Sequence, residues 1–524
     1  MARSRTQRLR PASAGAGRCR KRTWLLSISA ALPALAAGPV LAAKWDIQPT
    51  LSSDVTYTDN VSLSRAGTER SDWVTQVTPG ISIAGTGAQL KFNANYGAQF
   101  LHRAESGGNG VNHQFNGSGN AELVKQLLFI DARGSVFQQN VSLLGPQTDS
   151  NVNNTGNRAT VRSFFVSPYL RHDFGASAQA EARLTHSTLS TDAADGLRSQ
   201  TNGINLSIAS GPAFKLYTWN VAYNRSSIDY SAQIPDVTTE TISAGGKRMI
   251  TSQFGLTSSV GYEKSDYAAL GKSPSGAFWN AGLEWTPTPR TRVTATTGHR
   301  YYGNTRSFDL SHRTRLTTWG ASYSESVTNT HAQALLPSSF STAGYLDTLF
   351  LSSVPDPAAR QQAVQNFITQ NGLPSNLSVP LNFLTTQTIL VKRWQGSFGI
   401  HGVRNTLLAN VFRQSSDALT AGLAATGTGD FATSSTVQQT GGSVIWNWRF
   451  ATHVSSNLSA GVTRSEFPDI GRTDDAKYFR LGVSQQFQPR LSGSVNFRNI
   501  RNDSSIAGAG YVENAVTAAL GYRF

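Results

Sequence analysis

The sequence predicts an all-β fold, a transmembrane antiparallel β-barrel of about 18–22 strands with a small helical insertion in one loop. Apolar and polar residues alternate over many segments of about ten residues, as they do in strands with one face in lipid. Short turns alternate with longer polar loops along the chain, and outer-membrane barrels sort their loops by length in this way. The chain also ends on an aromatic residue, Phe524.

The last segment, 511–524, carries the alternation clearly. Phe524, Tyr522 and Leu520 share one face of the predicted strand, because successive side chains point to opposite sides. Arg523 and its small neighbours lie on the other face. The last strand of a soluble protein could show the same pattern, so the prediction depends on its repetition elsewhere. We expect the barrel assembly machinery to bind the chain through Phe524.

The same alternation recurs along the rest of the chain. Residues 47–63 carry apolar side chains at odd positions, and residues 90–100 carry them at even positions. Short turns such as 488–490 alternate with longer polar loops such as 139–159. A soluble sandwich has no reason to sort loops by length, so the pattern favours the barrel. Aromatic residues beside the short turns predict one interfacial girdle: Trp285, Trp448, Phe450, Phe487 and Tyr522.

Residues 1–43 predict a signal peptide, which leaves 44–524 for the barrel. A basic segment without acids precedes an apolar segment from Trp24 to Ala37, and small residues follow near Ala42. Cleavage would leave 38 basic and 31 acidic residues and lower the net charge from +15 to +7. The basic balance is therefore mostly a targeting feature, and we expect no nucleic-acid partner. Cys19, the only cysteine, would also be removed.

Residues 327–386 interrupt the alternation and predict a long loop insertion that contains a helix. Helix punctuation is present at both ends, with Asp356 and Pro357 at the start and Gly372 at the end. The apolar face of this helix would consist of Val364, Phe367 and Ile368. The pattern leaves two questions open: which side of the membrane carries the insertion, and whether it packs on the rim or acts as a lid.

The sequence shows no convincing catalytic or metal-binding motif. Gly271-Lys272-Ser273 resembles the end of a phosphate loop, but Asp266 stands where its first glycine is needed. His172-Asp173 could belong to the dyad of a barrel-embedded hydrolase, although such a pair is more often a solvated strand end. The histidines are scattered and no ligand cluster is seen. We therefore predict no enzyme activity, no cofactor and no metal.

The inner wall offers the better functional signal. Strand parity places six cationic residues among inward Asn, Gln, Ser and Thr side chains, and we regard them as candidate contacts for a polymer. An excess of arginine over acid predicts a basic lumen that attracts anionic solutes or polymers. The six candidates are Lys91, Arg292, Arg300, Arg449, Arg480 and Arg498.

Several short motifs are informative in combination: Trp45-Asp46 with Leu51, Tyr57-Thr58-Asp59-Asn60-Val61, Pro79-Gly80 before Tyr96, His312-Arg313 to Trp319 and Tyr323, and Val403-Arg404-Asn405-Thr406. Together they resemble the outer-membrane β-barrel proteins of exopolysaccharide and exosortase (PEP-CTERM) gene clusters. The resemblance implies a porin or scaffold in the final step of exopolysaccharide export from a Gram-negative cell. It also implies a periplasmic polysaccharide-export lipoprotein as a partner, beside outer-membrane lipid.

Two other functions stay open at this point. The first is a general or solute-specific porin, for which a polar lumen is sufficient. The second is the barrel-embedded hydrolase suggested by His172-Asp173. An energy-coupled receptor is less favoured, because strands begin directly after the predicted signal and leave no room for an N-terminal plug domain.

Overall fold

A computed structural model describes residues 43–193, 198–231, 235–267, 274–329, 346–347, 350, 360, 364, 387–420, 430 and 434–524. These residues form one antiparallel sheet of 22 strands that closes on itself through its first and last strands. The predicted fold class is thereby confirmed, and the 22 strands lie at the upper end of the predicted range of 18–22. The predicted signal sequence up to residue 42, the predicted helix caps Asp356 and Gly372, and Gly271-Lys272-Ser273 lie outside the described residues.

Every strand pairs with its neighbours in sequence. The first eleven are β1 (Lys44–Thr58), β2 (Asp72–Thr86), β3 (Leu90–Arg103), β4 (Gly110–Val124), β5 (Leu128–Asn140), β6 (Arg158–Phe174), β7 (Ala178–Thr191), β8 (Arg198–Ser210), β9 (Tyr217–Tyr230), β10 (Val237–Met249) and β11 (Phe254–Ser265). The others are β12 (Ser275–Thr288), β13 (Thr291–Arg300), β14 (Gly303–Arg313), β15 (Thr317–Thr328), β16 (Ile389–His401), β17 (Asn405–Ala418), β18 (Thr436–Ala451), β19 (Val454–Phe467), β20 (Arg472–Gln488), β21 (Leu491–Ser504) and β22 (Tyr511–Arg523).

Loop length sorts the two ends of the barrel. One end has only short connections between strands and also carries the start of β1 and the end of β22. The other end carries the long connections 59–71, 141–157, 329–388 and 419–435. Short turns face the periplasm in outer-membrane barrels, so the long connections lie on the external side. The insertion is thus attached at the external end, which the sequence did not decide.

The outer face of the barrel is apolar around its circumference, and this places the protein in the outer membrane. Large apolar side chains on this face stay exposed in the isolated chain, and a band of this extent needs lipid rather than water. The predicted periplasmic girdle is on this face: Trp285, Trp448, Phe450, Phe487 and Tyr522 are each exposed. No helix among the described residues is long and apolar enough to cross a membrane.

Nine residue pairs join β1 to β22, from Thr50 opposite Arg523 to Thr58 opposite Ala515. The N–H of Phe524 extends the ladder by donating to the carbonyl oxygen of Pro49 at 3.0 Å. Closure leaves no open sheet edge in the hydrocarbon region, where an unpaired backbone group would cost several kcal/mol. The alternation predicted a strand at 511–524, and the role of that strand, β22, is to close the ring.

One expectation about the first strand needs correction. The alternation suggests a strand as far as Leu63, but β1 ends at Thr58 and the chain then turns into the barrel. Val61 and Leu63 are 0% and 3% exposed, and both pack on inward-facing residues at the external end. Periodicity could not show this, because apolar residues in a lumenal loop and on a lipid face look alike in sequence.

Candidate functional site

The six cationic residues predicted to face inward all lie on the inner face of the barrel. Residues of the opposite parity on the same strands point to lipid, as the exposed side chains of Val495, Phe479 and Trp448 show. Four of the six lie beside an acid: Arg292 lies 3.5 Å from Glu284, Arg300 lies 3.0 Å from Glu263, Arg480 lies 2.6 Å from Asp149, and Arg498 lies 2.8 Å from Glu513. Glu284 is shared with Lys247, at 2.8 Å, so it compensates only one of its two cations. The lumen is therefore less basic than the count of arginines suggests.

Part of this pairing could have been predicted from the alternation of inward and outward positions along the strands. Glu263, Glu284 and Glu513 occupy inward positions of their strands, and counting acids by parity as well as arginines would have found them. Asp149 could not have been found in this way, because it belongs to the connection between β5 and β6 and reaches β20 only through the fold.

Residues 141–157, here called the crossing loop, fold into the external mouth instead of projecting from it. Leu143 is 3% exposed and packs with Ile389, Val437 and Phe467, inward residues at the external ends of β16, β18 and β19. The N–H of Leu143 donates to the carboxylate of Asp430 at 2.7 Å. The crossing loop therefore contacts the wall that lies opposite its own strands in the ring.

This contact narrows the barrel at its external end. A circular ring of 22 strands spaced about 4.8 Å apart would be about 40 Å wide. Leu143 is only three residues beyond the end of β5, and three extended residues span about 11 Å at most. Leu143 can contact β16–β19 only if the two walls approach each other there.

The second half of the crossing loop fastens to a third part of the wall. Val152 packs with Val74 and Leu101 at the external ends of β2 and β3. The guanidinium of Arg103 on β3 donates to the carbonyl oxygens of Val152 and Asn151 at 3.2 and 2.9 Å. Apolar burial and hydrogen bonds therefore hold both ends of the loop inside the mouth.

A group of charged residues, here called the latch, holds the middle of the crossing loop. Asp149 accepts from Arg480 at 2.6 Å, and the side-chain amide of Asn153 donates to Glu513 at 2.6 Å. Arg498 also donates to Glu513, at 2.8 Å. Glu513 is 0% exposed, so these partners take the place of water around its carboxyl group.

Asp149 is ionised in this setting. The surrounding walls oppose its ionisation by desolvation, but the cations of Arg480 and Arg498 outweigh that effect and lower the pKa of Asp149 to about 2. Its side chain keeps 59% of its surface accessible, so the Asp149–Arg480 pair lies in lumenal water. A pair of this kind contributes about 1 kcal/mol at most.

The insertion between β15 and β16 reaches the opposite end of the barrel. The ring of Phe350 packs on the ring of His401 with their centroids 4.7 Å apart. His401 is the last residue of β16, beside a periplasmic turn, and bonds Thr406 on the inner face at 3.0 Å. Phe350 therefore lies at the periplasmic end, although the insertion that contains it is attached at the external end.

The inner face of β17 is buried along the whole strand. Inward side chains from the periplasmic to the external end of this strand are 0–6% exposed: Thr406, Leu408, Asn410, Phe412, Gln414 and Ser416. Inward side chains of an empty barrel would be wet. Leu346, Phe350 and Val364 of the insertion are also buried, and Arg360 and Val364 are helical, within the predicted helix. Protein therefore covers this wall along its length.

The inner face of β8–β13, here called the open wall, is accessible instead. A cavity of about 430 Å³ lies against Asn220, Ser259, Asn280 and Thr296, and these side chains present hydroxyl and amide groups. A second cavity of about 190 Å³ lies nearby, beside Asn205 and other polar residues. The lumen thus has a covered side and a wet side, an asymmetry that the sequence did not indicate.

The suggested His172-Asp173 dyad is wrong. Adjacent residues of β6 point to opposite faces, so the two side chains lie on different sides of the sheet. The ring of His172 stacks edge-on against the outward Phe174 at 4.6 Å, whereas Asp173 accepts from Gln179 at 2.7 Å. No group of three or more metal-binding side chains was found among the described residues.

Comparison with solved structures shows that the fold is that of outer-membrane receptor barrels. The ferric-catecholate import receptor Fiu from E. coli K12 is similar in its open form, with a TM-score of 0.50, 9% identity, and coverage of 91% of this chain and 82% of the receptor. Its closed form gives the same values. A mutant of the ferric enterobactin receptor PfeA from Pseudomonas aeruginosa is similar with a TM-score of 0.48, 9% identity, and coverage of 92% and 81%.

No protein-family model and no curated protein matches the chain. At 9% identity the receptors establish the shared barrel architecture and nothing about ligands.

Proposed function

We propose that this protein is an outer-membrane channel that exports an exopolysaccharide and is closed at its external mouth when idle. The observation that carries the proposal is the open wall, an accessible surface of small residues with hydroxyl and amide groups beside a covered wall. A polymer rich in hydroxyl groups can move along such a surface through many weak hydrogen bonds, none strong enough to stop it. The motif resemblance to exopolysaccharide-cluster barrels supports the same function.

The six inward cations then have different roles. Lys91 and Arg449 lie near the periplasmic ends of β3 and β18, where a polymer would enter, and we propose them as entry contacts. Arg480 and Arg498 hold the crossing loop, so their role is to keep the mouth closed. Arg292 and Arg300 are paired with acids at opposite ends of the open wall and delimit it.

The periplasmic end would receive the polymer from a partner. Its short turns leave a rim without large loops, and a polysaccharide-export lipoprotein is the partner that we propose for this rim. The external end has no comparable rim, because the crossing loop and the apolar clusters around it fill the mouth. An exporter needs this difference between its ends: a periplasmic end that a partner can reach and an external mouth that can close.

Solute-specific uptake is the second candidate. A filled lumen is also typical of 22-stranded outer-membrane transporters, and the similar solved barrel Fiu is a ferric-catecholate import receptor. In that function the crossing loop would respond to a ligand arriving from outside. A conductance that rises when an external small solute is added, without any effect of the gene on surface polysaccharide, would favour uptake.

Deletion of the gene tests the export function. We expect surface polysaccharide to fall while its precursor accumulates in the periplasm, and we expect complementation with the intact gene to restore it. Unchanged surface polysaccharide in the deletion strain would refute the proposal. Complementation with the Arg501→Gln variant is the control, because Arg501 is exposed on the outer face and its replacement leaves the lumen unchanged.

A further inference from the structure

The charges of the open wall are confined to its two ends. At the periplasmic end, Glu284 lies 2.8 Å from Lys247 and 3.5 Å from Arg292. At the external end, Glu263 lies 3.0 Å from Arg300, which also stacks over Phe278. Between these two levels, every inward position of β8–β13 is Gly, Ala, Ser, Thr or Asn.

The pairing removes most of the field that these charges would produce. The external pair has no net charge, and the periplasmic group has one positive charge in excess. A path for a polyanion needs unpaired cations along its length, because the polymer loses hydration that only cations or oriented donors replace. The middle of the open wall offers none.

We infer that the polymer carried along the open wall is an uncharged polysaccharide. This inference rests on the proposed export function and replaces the anionic polymer that the arginine count favoured. Sugar hydroxyls both donate and accept hydrogen bonds, as do the Asn, Ser and Thr side chains that face them. The side-chain amide of Asn280, for example, donates to the hydroxyl of Ser259 at 3.1 Å, and an exchange of such bonds with a passing sugar conserves their number.

Introducing a negative or a positive charge at Asn280 provides the test. Asn280→Asp, Asn280→Lys and the uncharged Asn280→Gln form a matched set. The reversal potential of the purified mature protein in a planar bilayer under a KCl gradient shows whether residue 280 lines the path. We expect the Asp variant to shift toward cation selectivity and the Lys variant toward anion selectivity, with the Gln variant unchanged. Absence of any shift would refute the path itself, independently of export.

Surface polysaccharide in strains that carry the same variants then tests the charge of the polymer. For an uncharged polymer, the Asp and Lys variants export within about twofold of each other, because neither charge has a partner on the polymer. For an anionic polymer, Lys raises and Asp lowers export, by about fivefold each for a contact near 4 Å in water. Opposite effects of the two variants would overturn the inference and leave the export function standing.

Discussion

Asp149 lies 2.6 Å from Arg480, although 331 positions separate the two residues in sequence. Asp149 belongs to the crossing loop between β5 and β6, and Arg480 lies on the inner face of β20. The pair fixes the middle of the loop to a distant part of the wall and so keeps it within the mouth. Movement of this loop is the simplest way to open the external end.

Removal of the Asp149 charge should loosen the crossing loop. The pair is partly solvated and contributes about 1 kcal/mol at most, so Asp149→Asn should raise the open probability about fivefold. Single-channel recording of the mature protein measures this. Arg501→Gln is the matched control, because Arg501 forms a similar pair with Asp503 at 2.8 Å but is exposed on the outer face. Equal effects of the two variants would contradict a role for the latch.

The pH dependence follows from the lowered pKa of Asp149. A carboxylate with a depressed pKa contributes its stabilisation above its ordinary pKa near 3.8, and that stabilisation is lost as pH falls through about 2. The latch should therefore hold from pH 7 down to about pH 4, and conductance should rise only at lower pH. Opening centred near pH 6 would show that another group controls the loop. Asp149→Asn should abolish the rise between pH 4 and pH 2.

Glu513 should matter more for stability than for gating. It is 0% exposed and accepts from Arg498, Thr58 and Asn153, so Glu513→Gln leaves Arg498 without its charge partner. Loss of one member of a buried pair costs about 3 kcal/mol. We therefore expect the Glu513→Gln variant to unfold at a lower temperature than the unchanged protein. The measurement is the temperature at which the band in SDS gel electrophoresis shifts from the folded to the unfolded mobility. Asp503→Asn, on the outer face, should not change this temperature.

The contact between Phe350 and His401 can be tested by cross-linking. The mature chain lacks cysteine if the signal is cleaved as predicted, so Phe350→Cys/His401→Cys places the only two thiols. The rings of the native residues fill the gap, so a short bis-methanethiosulfonate is a better linker than a direct disulfide. We expect cross-linking within one chain. Phe350→Cys/His453→Cys is the control, because His453 lies in a different periplasmic turn, and equal cross-linking would contradict the specific contact.

The sequence predicts the cylinder better than its contents. Strands such as β22 and β18 follow directly from alternation, because lipid on one face and water on the other impose a period of two. Loop length and the terminal strand likewise determined the orientation of the ends. These signals are local, and each repeats many times along the chain.

The contents of the lumen depend on contacts between distant residues, which periodicity does not encode. In sequence, the crossing loop has the composition of an ordinary polar loop. In the structure, it buries Leu143 and Val152 against inward apolar residues such as Val437 and Val74. The parity argument correctly placed Arg498 inward but could not show that Glu513 neutralises it. The net positive charge predicted for the lumen was therefore too high.

Export measured with the external mouth locked tests the central claim most directly. In cells that produce Asp149→Cys/Arg480→Cys, the same reversible linker would hold the crossing loop in the mouth, because the two native side chains meet at 2.6 Å. If the polysaccharide passes through this lumen, surface polysaccharide should stop increasing on addition of the linker and resume after reductant, while each single-cysteine strain continues to export. Unchanged export from cells in which the cross-link has demonstrably formed would contradict passage of the polymer through the barrel.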